Sequence, residues 1–393
     1  MNSRPIVSAL LAATVAVAGL GCSSSAPATP AAQTQTVVRK NVTELTGAEK
    51  AEFVSAIKKL KAAPAPDDPR VSNWYDHFVA EHLSKLLCWN TRQTNQGGYG
   101  HNGPDLLTWH RSFLLEFEKA LSTVAGHPMA LPYWDWTDPA STAVVFADDF
   151  MGPPGDAADE YVVTKGPFRK GEWSIEVKGF PSTNPGQFDD LVRATGKMPS
   201  MTELPPASEV QQALSRPVYD AAPWNPGADP DLSFREYVDG SIGATGQTCQ
   251  DGMITVQGAT GARLHATVHM YVGGQNAEGQ PGALTDTATS PNDPIFWLHH
   301  TDIDRIAEAW WTTHDYQYLP KSGGPTGDNF DDIVWPYVGV TNGQMARPVK
   351  EFGYTYDELP TVDNPGGPTG PAVELSETAH PTAPMTMPHE APG

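Results

Sequence analysis

Apolar residues recur at helical spacing in five stretches of the chain. Phe53, Ile57 and Leu60 follow Thr46 and Glu49, a pair three apart that reads as a capping box opening a helix. A second stretch runs from about Trp74 to Leu87. A third begins after Gly103-Pro104-Asp105, where Leu106, His110, Phe113, Leu114, Phe117 and Leu121 make one apolar stripe. A short helix is predicted from Leu264 to Tyr271. A fifth opens at Asp293-Pro294, a cap and first-turn pair, and runs through Trp311. Residues 138–232, broken by Pro and Gly, read as irregular.

The two ends of the chain differ from this pattern. Arg4 precedes an apolar run, Ile6 to Leu20, too short for a comfortable membrane span, and Gly19-Leu20-Gly21-Cys22 resembles a bacterial lipobox. Residues 1–22 are therefore expected to be a signal peptide of lipoprotein type. The expected protein is exported, periplasmic or at the cell surface, and anchored by lipid at Cys22, its only membrane contact. Residues 23–38, rich in Ser, Ala, Pro, Thr and Gln, read as a flexible tether. Residues 39–360 read as one domain, and 361–393 as a disordered Pro-rich tail.

The formal net charge is −21, from 46 acidic and 25 basic residues, and no basic block stands out, which argues against a nucleic-acid partner. Beyond Cys22 only Cys88 and Cys249 remain; a disulfide, a thioether to a histidine and free buried thiols are all open.

The histidines carry the chemistry. His265 and His269, four apart, share one face of their helix and can grip one metal ion. A zinc-protease reading fails because Ala266, not Glu, follows the first of them. His299 and His300 are adjacent, so one can ligate while the other packs. His110 lies on the apolar stripe, with His101 just before that helix. A lone histidine there would be an ordinary core residue. Several on the apolar faces of separate helices are costly to bury without a shared partner, and a metal ion is the economical one.

Four segments resemble the tyrosinase, catechol oxidase and hemocyanin group of dinuclear copper proteins. WHRSFLLEFEKAL and SPNDPIFWLHHTDIDR are similar to its two copper-site signatures, LPYWDW to a third motif, and VVRKNVTELTGAEKAEFVSAIKKLK to its N-terminal start. Tyr354-Thr355-Tyr356 resembles the motif that closes the central domain. The resemblance implies a mainly α fold: a four-helix bundle core holding two copper ions, three histidines each, wrapped by long loops. It implies His82, His101 and His110 at one copper, with His82 chosen over His77 by the family's pattern. At the other it implies His265, His269 and His300, with His299 in support. Asp304, four residues after His300, is expected to orient an imidazole or pair with Arg39.

The implied activity is oxidation of phenols by O2 to o-quinones, with no organic cofactor. The alternative is an oxygen-binding or copper-binding protein of the same fold without turnover. Family members that hydroxylate monophenols commonly carry Asn after the first ligand of the second site and a Glu upstream. Here those positions resemble Ala266 and Asp239, and about two dozen residues containing Cys249 intervene before His265. Gln257 is a rival to Asp239 for holding a water or taking a proton. These departures favour o-diphenols, with monophenols and o-aminophenols as further substrates. Thr287 stands near where some relatives place a bulky Phe over one copper.

Overall fold

The computed structural model describes residues 36–88, 99–179, 188–199, 201–250 and 252–361. The signal segment, Cys22, the tether up to residue 35 and the tail from residue 362 lie outside the described residues. Among the described residues no helix is long and apolar enough to cross a membrane.

The frame is helical. In chain order it comprises α1 (Gly47–Ala62), α2 (Trp74–Lys85), α3 (Leu106–Ala125), α4 (Pro139–Val145), α5 (Ala207–Leu214), α6 (Phe234–Asp239), α7 (Leu264–Gly273), α8 (Ile295–Thr313) and α9 (Asn342–Met345). Helix α1 starts on the expected capping box: Thr46 Oγ1 accepts from Glu49 N–H, and the Glu49 carboxylate accepts from Thr46 N–H. Asp293 caps α8 by accepting from Ile295 N–H at 3.0 Å, while both its oxygens bind the buried guanidinium of Arg193. The stretch expected to be irregular contains two short helices, α4 and α5. Asp138 opens α4 by accepting from Ala140 and Ser141 N–H, with Pro139 in its first turn, so here proline starts a helix.

Small strands complete the frame: β1 (Val37–Arg39), β2 (Ser241–Ile242), β3 (Gly246–Gln250), β4 (Met253–Gln257), β5 (Gly261–Ala262) and β6 (Tyr354–Tyr356). β1 and β6 pair in parallel, Val37 opposite Tyr354. Val37 and Val38, assigned to the tether by composition, thus belong to the domain. β2 pairs with β5 and β3 with β4, both antiparallel.

The core forms where α1, α2, α3 and α8 bury their stripes. Phe117 and Trp297 stack at 3.4 Å between ring centres, joining α3 to α8. The Trp297 indole donates to Tyr75 OH at 3.0 Å, and that hydroxyl donates to the Pro291 carbonyl at 2.6 Å. This chain seats the turn Thr287–Asn292 between α2 and α8, beside the histidines.

Candidate metal centre

Seven buried histidines form two groups: His82, His101 and His110 in one, and His265, His269, His299 and His300 in the other, with potential ligand atoms in each group within 4.8 Å of one another. Ring centres are 4.8–5.7 Å apart among His82, His101 and His110, and 4.6–5.3 Å among His265, His269 and His300. The groups abut, with His110 stacked on His300 at 4.2 Å; within the second group His269 Nε2 lies 3.1 Å from His300 Nε2.

Backbone carbonyls orient the rings. Nδ1 of His82 is 3.0 Å from Ala288 O, that of His110 2.8 Å from Leu106 O, and that of His269 2.9 Å from Leu284 O. With Nδ1–H donated to a carbonyl, the lone pair sits on Nε2, the tautomer a metal requires. Nε2 of His82, His110 and His265 is buried without a hydrogen-bond partner. Three imidazole nitrogens so arranged around each of two points are what a pair of copper ions needs. Burial pushes the His82 imidazole down to about 4. It holds His101, His110, His269, His299 and His300 well below the ordinary range, with neighbouring imidazoles adding to the effect. The rings are therefore neutral and able to ligate at neutral pH.

His101 comes from the loop before α3. Gly100 N–H donates to both carboxylate oxygens of Asp105 at 3.0 Å, and Lys85 on α2 binds the same carboxylate at 3.0 Å. Gly100 has φ +66°, and a Cβ there would press on Lys85 and Trp109 at 3.0 Å, so the loop needs glycine.

A profile of the common central domain of tyrosinase matches residues 72–313, more than half of the chain. The chain belongs to the tyrosinase family. It is 36% identical over 325 residues to a tyrosinase of Streptomyces antibioticus, covering 81% of this chain and 99% of that one. It is 33% identical over 341 residues to grixazone synthase of Streptomyces griseus, covering 82% and 99%. Among solved structures, a polyphenol oxidase from Thermothelomyces thermophila (mutant G292N) aligns with TM-score 0.56 at 21% identity, covering 82% of this chain and 89% of that one, which supports the fold. The two triads, His82/His101/His110 and His265/His269/His300, could hold the two copper ions that the tyrosinase family implies.

The other candidates separate by position. His77, the rival to His82, is bound to Asp68 at 2.7 Å and stands outside the groups. His299 lies inside the second group, where its ring stacks on His265 at 5.5 Å and meets Trp136 at 5.1 Å. Asp304 does not orient an imidazole: it accepts from Arg39, Arg111, Tyr354 and Tyr356. Burial works against its charge, but the two arginines and both tyrosines hold its carboxyl below the usual range. Arg39 also binds Glu118. Sequence reasoning missed Arg111, although it directly follows His110.

Asp239 reaches the cluster, with Oδ1 3.7 Å from His265 Nδ1. It shares the buried guanidinium of Arg235 with Asp220 and Glu236. Burial pushes the Glu236 carboxyl up to about 9, against the pull of the Arg235 guanidinium. Gln257 does not join them. It is exposed at the end of β4, opposite Gly246, and makes no hydrogen bond to a histidine. It sits at the end of the hairpin remote from the buried Met253, which linear distance from His265 could not reveal. Thr287 is also exposed; the neighbouring Ala288, buried, is what touches the centre, through its carbonyl. Cys88 and Cys249 form a disulfide, with Cα atoms 5.9 Å apart, which excludes the thioether.

Proposed function

We propose that this copper phenol oxidase acts chiefly on o-diphenols, converting them to o-quinones, with Asp239 serving the second copper site through His265. The observation that carries the oxidase reading is the contact of two triads of buried imidazoles across the His110–His300 stack. When bound, two copper ions supply the site for O2 and the two-electron oxidising capacity that turns a catechol into a quinone.

The chain's own residues do the rest. The carbonyls of Ala288, Leu106 and Leu284 fix three rings, so the ligand set is organised before substrate arrives. Phe296 stacks on His300 at 4.0 Å and Trp109 packs edge-on to His110 at 4.8 Å, keeping water from the apolar sides of the ligands. Asp239 faces the Nδ1 side of His265 at 3.7 Å, beyond direct hydrogen-bond reach, where its negative charge favours donation from the ring to a metal ion. Ala266 has no polar side-chain atom to hold a water for deprotonating a monophenol. A diphenol ionises more readily at its first hydroxyl and needs no added oxygen atom, so its oxidation depends less on such a water.

Export with lipid attachment at Cys22 is part of the same proposal. Arg4, the run Ile6 to Leu20 and the lipobox-like Gly19–Cys22 support it, and the Cys88–Cys249 bond suits an oxidising compartment.

The test is oxygen uptake by the copper-loaded protein with a catechol and its matched monophenol, against a His265→Ala, His300→Ala control. Uptake on catechol, lost in the control and slow on the monophenol, is the expected result. Equal rates on both substrates would defeat the diphenol preference. No uptake on either by a protein holding two coppers would defeat phenol oxidation of these substrates.

A further inference from the structure

Residues 241–263 form an excursion between Asp239 and His265, and the excursion is closed at its base. Arg263 N–H donates to Gly240 O at 2.9 Å, and β2 pairs with β5. Gly240 has φ +94°, and a Cβ there would lie 2.3 Å from the Arg263 carbonyl oxygen. The base thus brings α6 and α7 together, with Asp239 beside His265.

The β3–β4 hairpin goes elsewhere, to the far end of α2. Cys88 N–H donates to Gly252 O at 2.9 Å, Ile254 N–H donates to Leu86 O at 3.1 Å, and the Cys88–Cys249 bond closes the joint. Met253 is buried with Leu86, Leu87 and Ala288 in a small apolar cluster apart from the main core. Ala288 is the residue whose carbonyl holds His82 Nδ1. Hairpin, helix end and ligand-orienting turn thus meet at one side chain.

We infer that this stapled hairpin, acting through Met253 and Ala288, is a brace that positions His82 and sets how firmly the first site retains its copper. The inference rests on the copper assignment of the two triads. An imidazole whose Nδ1–H is tied to a fixed carbonyl presents Nε2 in one direction. Removing Met253 opens a cavity behind Ala288, and the carbonyl gains freedom to turn with the ring it holds. Breaking the staple loosens the same contact from the other side. The second site has its own orienting carbonyl, Leu284 O for His269, outside this cluster. Met253 is a positioning residue and touches no reacting atom in this scheme.

The experiment follows release of copper from the loaded protein to a competing chelator. It compares the wild type with Met253→Ala, Met253→Leu and the Cys88→Ser, Cys249→Ser pair, with folding followed by circular dichroism. Met253→Ala and the serine pair should each release one of the two ions about 10-fold faster and leave the other unchanged. Met253→Leu should restore the slow rate. In a His110→Ala background, which damages the first site, Met253→Ala should have no further effect on the remaining ion. If Met253→Ala does not fold, the serine pair and Met253→Leu decide: the pair should be fast and the leucine variant slow. Wild-type rates for both ions in the variants, or equal acceleration of both ions, would overturn the brace. A wild-type protein binding fewer than two coppers would instead overturn the copper assignment beneath it.

Discussion

Arg111 Nε donates to Asp304 Oδ1 across 2.6 Å, linking α3 to α8 beside the two histidines at which the triads touch. Arg111 follows His110 by one position, and Asp304 follows His300 by four. The pair is buried, and Arg111 also reaches Glu308 at 3.2 Å and the carbonyls of Met345 and Arg347. It ties together the two helices that carry His110 and His300.

Asp304→Ala removes the shared acceptor of two buried guanidinium groups, Arg39 and Arg111. The expected loss is about 3–5 kcal/mol of folding stability, because uncompensated buried charge is left behind. Chemical denaturation of the metal-free protein measures it directly. A loss under about 1 kcal/mol would mean that water or Glu118 and Glu308 already satisfy both arginines.

Each triad should answer separately to loss of a ligand. His110→Ala and His269→Ala are each expected to lower bound copper from two ions to about one per chain and to abolish catechol oxidation. Metal analysis after gel filtration gives the stoichiometry. Two coppers retained in either variant would show that the substituted ring is not a ligand.

His299 tests the four-histidine group differently. Its ring stacks on His265 and meets Trp136 edge-on inside the second group. If His300 is the third ligand, His299→Phe keeps the packing and should leave two coppers bound, while His300→Phe should lose one. The reverse outcome would exchange the two roles.

The acid response follows from burial of the imidazoles. His82 is lowered from the ordinary 6.5 to about 4, so between these values the unfolded chain binds more protons than the folded one. The stability is present above pH 6.5 and is lost as pH falls toward 4. The other five depressed imidazoles act in the same direction. The denaturation midpoint of the metal-free protein should fall across this window, and copper should move the fall to lower pH because metal competes with protons. A flat midpoint from pH 7 to 4 would contradict neutral burial of these six imidazoles.

Ala266→Asn is the gain-of-function test. A new hydrogen bond to a water beside His265, worth about 1.4 kcal/mol, should raise monophenol oxidation about 10-fold and change catechol oxidation little. The ratio of the two kcat/KM values is the readout. An unchanged ratio would mean that the missing amide is not what limits monophenols.

The frame helices were legible where they are long or locally capped: Thr46 with Glu49 announces the start of α1, and Asp293 before Pro294 that of α8, which carries His299 and His300. A metal centre was legible because several histidines on apolar faces lack a cheaper partner, while the resemblance to the family supplied the choice among them. What escaped was set by contacts between segments distant in sequence. Arg111 looks like any polar helix residue until Asp304, 193 positions later, comes to face it. The pairing of Cys88 with Cys249 depended on where an excursion folded, as did the exposure of Gln257. Strand β1 escaped because three residues beside a Pro- and Ser-rich stretch become a strand only through their partner β6.

That last pairing closes the domain on itself. Arg39 and Tyr356 are register partners, and Arg39 Nη1 donates to the Tyr356 hydroxyl at 3.3 Å. The folded body is therefore nearly a ring of chain, entered and left through one doorway. A short peptide joining residue 357 to residue 36, with new ends opened between α4 and α5, should give a circular permutant that still assembles both triads. The copper centre would depend on how the ring is threaded through the core and not on where it is cut.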